Sequence, residues 1–184
     1  MKTIYVLGSL NTDLVISTDK IPEEGETVSG KNFRTGCGGK GLNQAIAAAK
    51  LGSKVKFLGA VGKDSFGEQM IDWLKKNKVD VKNVKKLANI SSGIAMIVLH
   101  NKNNRIVLDL AANLLIGKED IDSFLSTAQN GDVFVTQLEN NLDAIEYGLK
   151  SAKEKGMITV LNPAPADVKI SKFLDCVDFL IPNE

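Results

Sequence analysis

Three short clusters in this chain of 184 residues carry side chains fit for chemistry. They are Asn11-Thr12-Asp13, Gly38-Gly39-Lys40-Gly41 with Asn43 close behind, and Gln137-Leu138-Glu139. Asn162, ahead of Pro163 and Pro165, and the final Asn183-Glu184 complete the set. A carboxylate accepts protons from adjacent hydroxyls, and an Asn amide both donates and accepts in fixed geometry, so these residue types suit a hydroxyl-rich ligand. Glycines let backbone approach a ligand closely, and a helix starting among them offers unpaired N–H groups.

Other chemistries lack their residues. His100 is the sole histidine and falls at an expected hairpin turn, so no Ser-His-Asp or Cys-His arrangement can be assembled. Cys37 and Cys176 lie far apart with no His or Cys at metal-ligand spacing, and read as buried thiols rather than a zinc site or a redox pair. The Gly38–Gly41 segment is not a P-loop: GxxxxGK[ST] is not met, and no strand is expected to run directly into it. Each candidate also has a plainer reading. Asn11 and Asp13 could form an Asx-turn or helix cap, Glu139 could be a first-turn acid, and Asn162 could be loop punctuation.

The elements that must position these residues alternate along the chain. Apolar runs predict strands at 3–7, 55–61, 133–136, 158–161 and 179–181. Helical spacing predicts helices from Lys40, closed by Gly52, and over 66–77, 118–127 and 142–155. Strands separated by 10–15-residue helical stretches mean βαβ units and a largely parallel sheet. Two hairpin-like segments, near 14–34 and 88–110, interrupt the rhythm and suit a small second sheet, a β lid, within one domain. Ligands of open α/β sheets bind beyond the carboxyl ends of the strands, which is where Asn11, Asp13, Glu139, Asn162 and Asn183 fall.

Twenty-three basic against 22 acidic residues give a net charge of +1, which removes a basic nucleic-acid-binding domain as the default. No 18-residue uncharged apolar run and no signal-like apolar core is present, so a cytoplasmic protein without membrane partners is expected.

The order GSLNTD, PEEGETVSG, CGGKGLNQAIAAAKLG, VGKDSFG, QLE, NPAPA and PNE resembles the ribokinase-like (PfkB-type) family of carbohydrate and nucleoside kinases. The resemblance implies an α/β three-layer fold with a β-stranded lid over a sugar cleft, here an incomplete kinase domain over 1–184. It implies ATP-dependent transfer of phosphate to the 5-hydroxyl of D-ribose, with a non-catalytic sugar-binding or regulatory module, or a kinase for another sugar or nucleoside, as alternatives. By position, Asn11, Asp13, Gly39, Lys40, Asn43 and Glu139 match the family's sugar-contacting residues. Asn183 matches the first residue of its NxxE motif, associated with the nucleotide-phosphate and magnesium region. ATP, Mg2+ and K+ are the cofactors implied for a full-length member, and none is expected on this chain alone. A homodimer through lid strands, or pairing with a separate C-terminal half, is implied as well. The family's GAGD segment, whose Asp serves as base, does not occur in these residues, so residues 1–184 alone are expected not to catalyse the transfer. The family also often has Gly where this chain has Ala111.

Overall fold

The computed structural model describes residues 2–183. The strands are β1 (Thr3–Leu7), β2 (Asn11–Thr18), β3 (Gly30–Gly38), β4 (Lys54–Gly62), β5 (Asp80–Leu87), β6 (Gly93–His100), β7 (Asn103–Asp109), β8 (Val133–Gln137), β9 (Ile158–Asn162) and β10 (Phe179–Leu180). The helices are α1 (Lys40–Lys50), α2 (Ser65–Lys76), α3 (Lys118–Leu125) and α4 (Leu142–Glu154). A parallel six-stranded sheet, ordered β10-β9-β8-β1-β4-β5, forms the centre of the molecule. A second sheet of four strands, ordered β3-β2-β6-β7, stands apart from it.

Alternation on β1 explains the layers. Successive side chains of a strand point to opposite faces. Tyr5 and Leu7 join Phe134, Ile145, Leu149 and Phe124 under α3 and α4, whereas Val6 joins Leu42, Ile46, Phe57, Met70 and Leu74 under α1 and α2. Burying each of these large side chains contributes about 1.5–3 kcal/mol, and the two cores together clamp the sheet. Asp64 starts α2 by accepting from Gly67 N at 2.8 Å, and Asn141 starts α4 by accepting from Asp143 N at 2.9 Å. Gly52, at φ 91°, follows the end of α1 in the left-handed conformation expected of a helix-closing glycine.

The structure differs from the sequence reading in four places. Strand β3 runs into α1 with only Gly39 between, so a strand does lead directly into the glycine segment; the alternation of 30–38 is masked by its exposure. Asn11 and Asp13 lie on β2 rather than in a turn, because β2 begins within four residues of β1 and pairs with both β3 and β6. Cys37 and Cys176 are free and only half-buried, each on an element at the margin of a core. The last strand is two residues long, although Ile181 N still donates to Leu161 O at 2.9 Å. Phe179, Leu180 and Ile181 are exposed along it.

Candidate functional site

Six of the sequence candidates converge. Asn11 and Asp13 of β2, Gly39, Lys40 and Asn43 at the start of α1, and Glu139 just past β8 line one cleft of about 310 Å³. The opposite wall is apolar, made of Ala95 and Ile97 on β6 with Ile106 and Leu108 on β7. Pairing explains that wall. Asp13 lies beside Ala95, which lies beside Leu108, and Ile97 lies beside Ile106, so all share one face of the second sheet. The cleft therefore sits between the carboxyl ends of β1 and β8 and the inner face of the second sheet.

Three glycines are fixed by what surrounds them. Gly39 caps α1 at φ 100°, a region that side chains rarely adopt. A Cβ on Gly38 would meet Asp13 Oδ2 at 2.4 Å, so the carboxylate occupies the space a side chain would need. A Cβ on Gly41 would meet Gly8 Cα and Ser9 N at 2.5 Å, so α1 can approach the end of β1 only without one. That approach lets Leu42 N donate to Ser9 O at 3.0 Å and Gly41 N to Ser9 Oγ at 3.3 Å.

Glu139 binds the parts together. It is 5% exposed, and its Oε2 accepts from Ser9 Oγ at 2.6 Å, Lys40 N at 3.1 Å and Asn11 Nδ2 at 3.4 Å. Its Oε1 lies 3.3 Å from Lys40 Nζ. The carboxylate thus rests on the N-terminus of α1, where the helix dipole favours negative charge. Asp13 is only partly buried and free to meet a ligand. Burial, and secondarily the charge of Glu139, raises its carboxyl above the ordinary range. Burial, and then Asp13, likewise pushes the Cys37 thiol up, so the more reactive thiolate is disfavoured there.

Ser9 and Asn113 were missed by sequence reasoning. Ser9 stood in plain view two residues before Asn11. Asn113, fully buried in the short 3-10 turn Ala111–Leu115, carried no signal because its partners Leu10 and Asn11 lie more than a hundred residues earlier in the chain. Two further candidates stay apart. Asn162 Nδ2 donates to Ile181 O at 2.7 Å, a tie between β9 and the chain after β10. Asn183 is exposed beyond β10, and no hydrogen bond among the described residues joins it to the cleft. Glu184 lies outside the described residues. No cluster of three or more His, Cys, Asp or Glu is found among the described residues. No helix of the described residues is long and apolar enough to cross a membrane.

A parallel sheet covered by helices on both faces, with a second sheet folded over its carboxyl end and a polar cleft between, defines an α/β ligand-binding fold. The model of the pfkB family carbohydrate kinases matches residues 1–184, and the chain belongs to that family. It is 41% identical to the ribokinase of Schizosaccharomyces pombe over 100% of this chain and 60% of that one. It is 39% identical to the deoxyribokinase of Salmonella typhi over 98% of this chain and 60% of that one. The solved Arabidopsis thaliana ribokinase complexed with ribose and ATP superposes with a TM-score of 0.85 at 30% identity, covering 100% of this chain and 60% of that one. The chain thus spans about 60% of the length of the curated relatives it matches.

Proposed function

We propose that this chain forms the sugar-recognition side of an ATP-dependent pentose kinase whose substrate is ribose, phosphorylated at the 5-hydroxyl. The observation that carries the proposal is the cleft itself, with acceptors and amides on one wall and Ala95, Ile97, Ile106 and Leu108 on the other. A furanose matches that division, having hydroxyls around its rim and C–H surface on its faces. Its volume of about 310 Å³ is at the small end of ligand pockets, which run to about 1,000 Å³. Asp13 accepts two neighbouring hydroxyl protons, Asn11 and Asn43 fix further hydroxyls, and Lys40 balances one of the two carboxylates. Similarity to ribokinases supports the pentose class.

The base and the nucleotide site are not assigned to residues of this chain. No GAGD segment occurs in the 184 residues. Phosphoryl transfer needs an activated nucleophile, an in-line nucleotide and stabilised charge. Residues 1–184 supply the sugar's positioning and its shielding from water. Ribose-dependent ADP release by the 184-residue polypeptide, above an Asp13→Asn control, would overturn that division of labour.

The Salmonella typhi relative, named a deoxyribokinase, favours 2-deoxyribose as a second reading. Calorimetric titration with ribose, 2-deoxyribose and adenosine decides among them. Ribose is expected to bind, and Asp13→Asn to weaken it by about 10- to 100-fold, because a hydrogen bond to a charged group contributes about 1.5–3 kcal/mol. Absence of pentose binding by the unaltered protein refutes the proposal.

A further inference from the structure

We infer that Asn113 is a positioning residue that sets which face of the Asn11 amide meets the ligand. Asn113 is fully buried, and its side chain reaches across the junction where β1 passes into β2. Oδ1 accepts from Leu10 N at 2.9 Å, and Nδ2 donates to Leu10 O at 3.1 Å. One amide thus satisfies both backbone groups of the residue just before β2, as a neighbouring strand would. This pair of hydrogen bonds, one from a backbone donor and one to a backbone acceptor, removes the usual ambiguity between the oxygen and nitrogen of an Asn side chain. The remaining N–H of Asn113 goes to Asn11 Oδ1 at 2.9 Å.

The consequence falls on Asn11. With its oxygen held by Asn113, its nitrogen must turn towards Glu139 Oε2, 3.4 Å away. Nδ2 has two hydrogens, so one N–H remains to be directed into the cleft that Asn11 lines. Asn11 therefore presents a donor to the ligand, beside Asp13, which presents an acceptor. A flipped Asn11 would offer a second acceptor next to two carboxylates, and a hydroxyl cannot donate to all of them at once.

The surroundings hold this arrangement from two more sides. Asn140 Nδ2 donates to Asn113 O at 3.0 Å, which anchors the turn to the segment carrying Glu139. A Cβ on Gly93 would lie 2.2 Å from Asn11 Oδ1 and 2.4 Å from Asn113 Nδ2, so the first residue of β6 leaves room for the amide pair only as glycine. The orientation of Asn11 follows from these contacts alone; its effect on affinity rests on the sugar-kinase reading above.

The test has a ligand-free arm and a ligand arm. In the unaltered protein, both side-chain amide protons of Asn113 are expected to exchange with solvent at least tenfold more slowly than those of exposed Asn101, by NMR with assignment through single substitutions. Equal rates overturn the proposal, whether or not a sugar binds. In the ligand arm, ribose affinity is measured for Asn113→Ala, Asn11→Ala and the double variant. Asn113→Ala alone is expected to weaken binding about tenfold, and far less in the Asn11→Ala background, because it acts through Asn11. Additive losses overturn the proposal in favour of a purely structural role. Asn113→Ser, which retains a small donor and acceptor, serves the same cycle if Asn113→Ala does not fold. If the unaltered protein binds no pentose, the function proposed above fails, while the exchange rates still test whether the Asn113 amide is pinned against Leu10 and Asn11.

Discussion

Replacing Glu139 by Gln should cost the fold about 2 kcal/mol, and the figure can be built from its contacts. The Gln oxygen can take the place of Oε2 and still accept from Ser9 Oγ and Lys40 N, at 2.6 and 3.1 Å in the native protein. Each bond changes from charge-assisted to neutral, a loss of about 1 kcal/mol apiece. The Asn11 bond, at 3.4 Å, is too long to add much. Loss of negative charge at the start of α1 removes about 0.5 kcal/mol more. The ion pair with Lys40 counts for little, because that side chain is 37% exposed, so its loss stays below about 1 kcal/mol. Relief of repulsion towards Asp13 opposes these losses and keeps the sum near 2 kcal/mol, an order-of-magnitude value. Urea denaturation of Glu139→Gln against the unaltered protein at neutral pH measures the difference. Glu139→Ala, which leaves buried donors unpaired, should lose more. A Glu139→Gln change within about 0.5 kcal/mol of zero would refute the view that this carboxylate ties α1 and the β1–β2 junction to the end of β8.

Further outcomes follow from strain, close approach and titration. Ala111 sits at φ 40°, where a Cβ is strained, so Ala111→Gly should raise stability by about 1 kcal/mol in the same denaturation assay, unlike typical glycine substitutions. Gly41→Ala should lose about 3 kcal/mol, because its Cβ meets only backbone at 2.5 Å, whereas Ala47→Gly on the exposed side of α1 should lose about 1 kcal/mol. Because the Asp13 carboxyl is raised in the folded protein, its share of stability is greatest at low pH and declines as pH rises from its unfolded value through its folded one. Ribose affinity should run the other way, falling as pH drops through that raised value, and titration calorimetry across the acid range should place the midpoint above the ordinary carboxylate range.

The layers were legible in the sequence because periodicity reports burial, and the central sheet buries both faces. Apolar runs such as Val55–Val61 and Phe134 with its neighbours could hardly be anything else. The second sheet was harder. Its strand β3 is exposed over seven of nine residues, so the alternation that marks a half-buried strand is absent, and its end inside the glycine segment went unseen. Glu139 and Asp13 were found from their place after strands, a rule of topology that needs no contact map. Asn113 obeys no such rule. Its role exists only through Leu10 and Asn11, about a hundred residues earlier, and sequence spacing carries no trace of a contact at that range.

The same contrast explains why the site lies where it does. A parallel sheet leaves its strand ends with carbonyls and helix N-termini facing one edge, and that edge tolerates polar side chains the core would not. Here the edge is closed by a sheet that enters through β2, four residues after β1, and by no long linker. The hinge is therefore short and must satisfy its own backbone. Asn113 does so for Leu10, Asp64 does so for Ser92 at the entry to β6, accepting from its N at 2.8 Å and its Oγ at 2.7 Å, and Glu139 does so for Lys40 N. The hydrogen bonds that Asp64 accepts outweigh its burial and hold its carboxyl below the ordinary range. Asn113 and Asp64 stand in for strand neighbours that these junctions lack, and Glu139 caps the start of α1. Two of the three also touch residues lining the cleft, so the groups that make the hinge stable are the groups that aim the site, and a change to either should be felt in both.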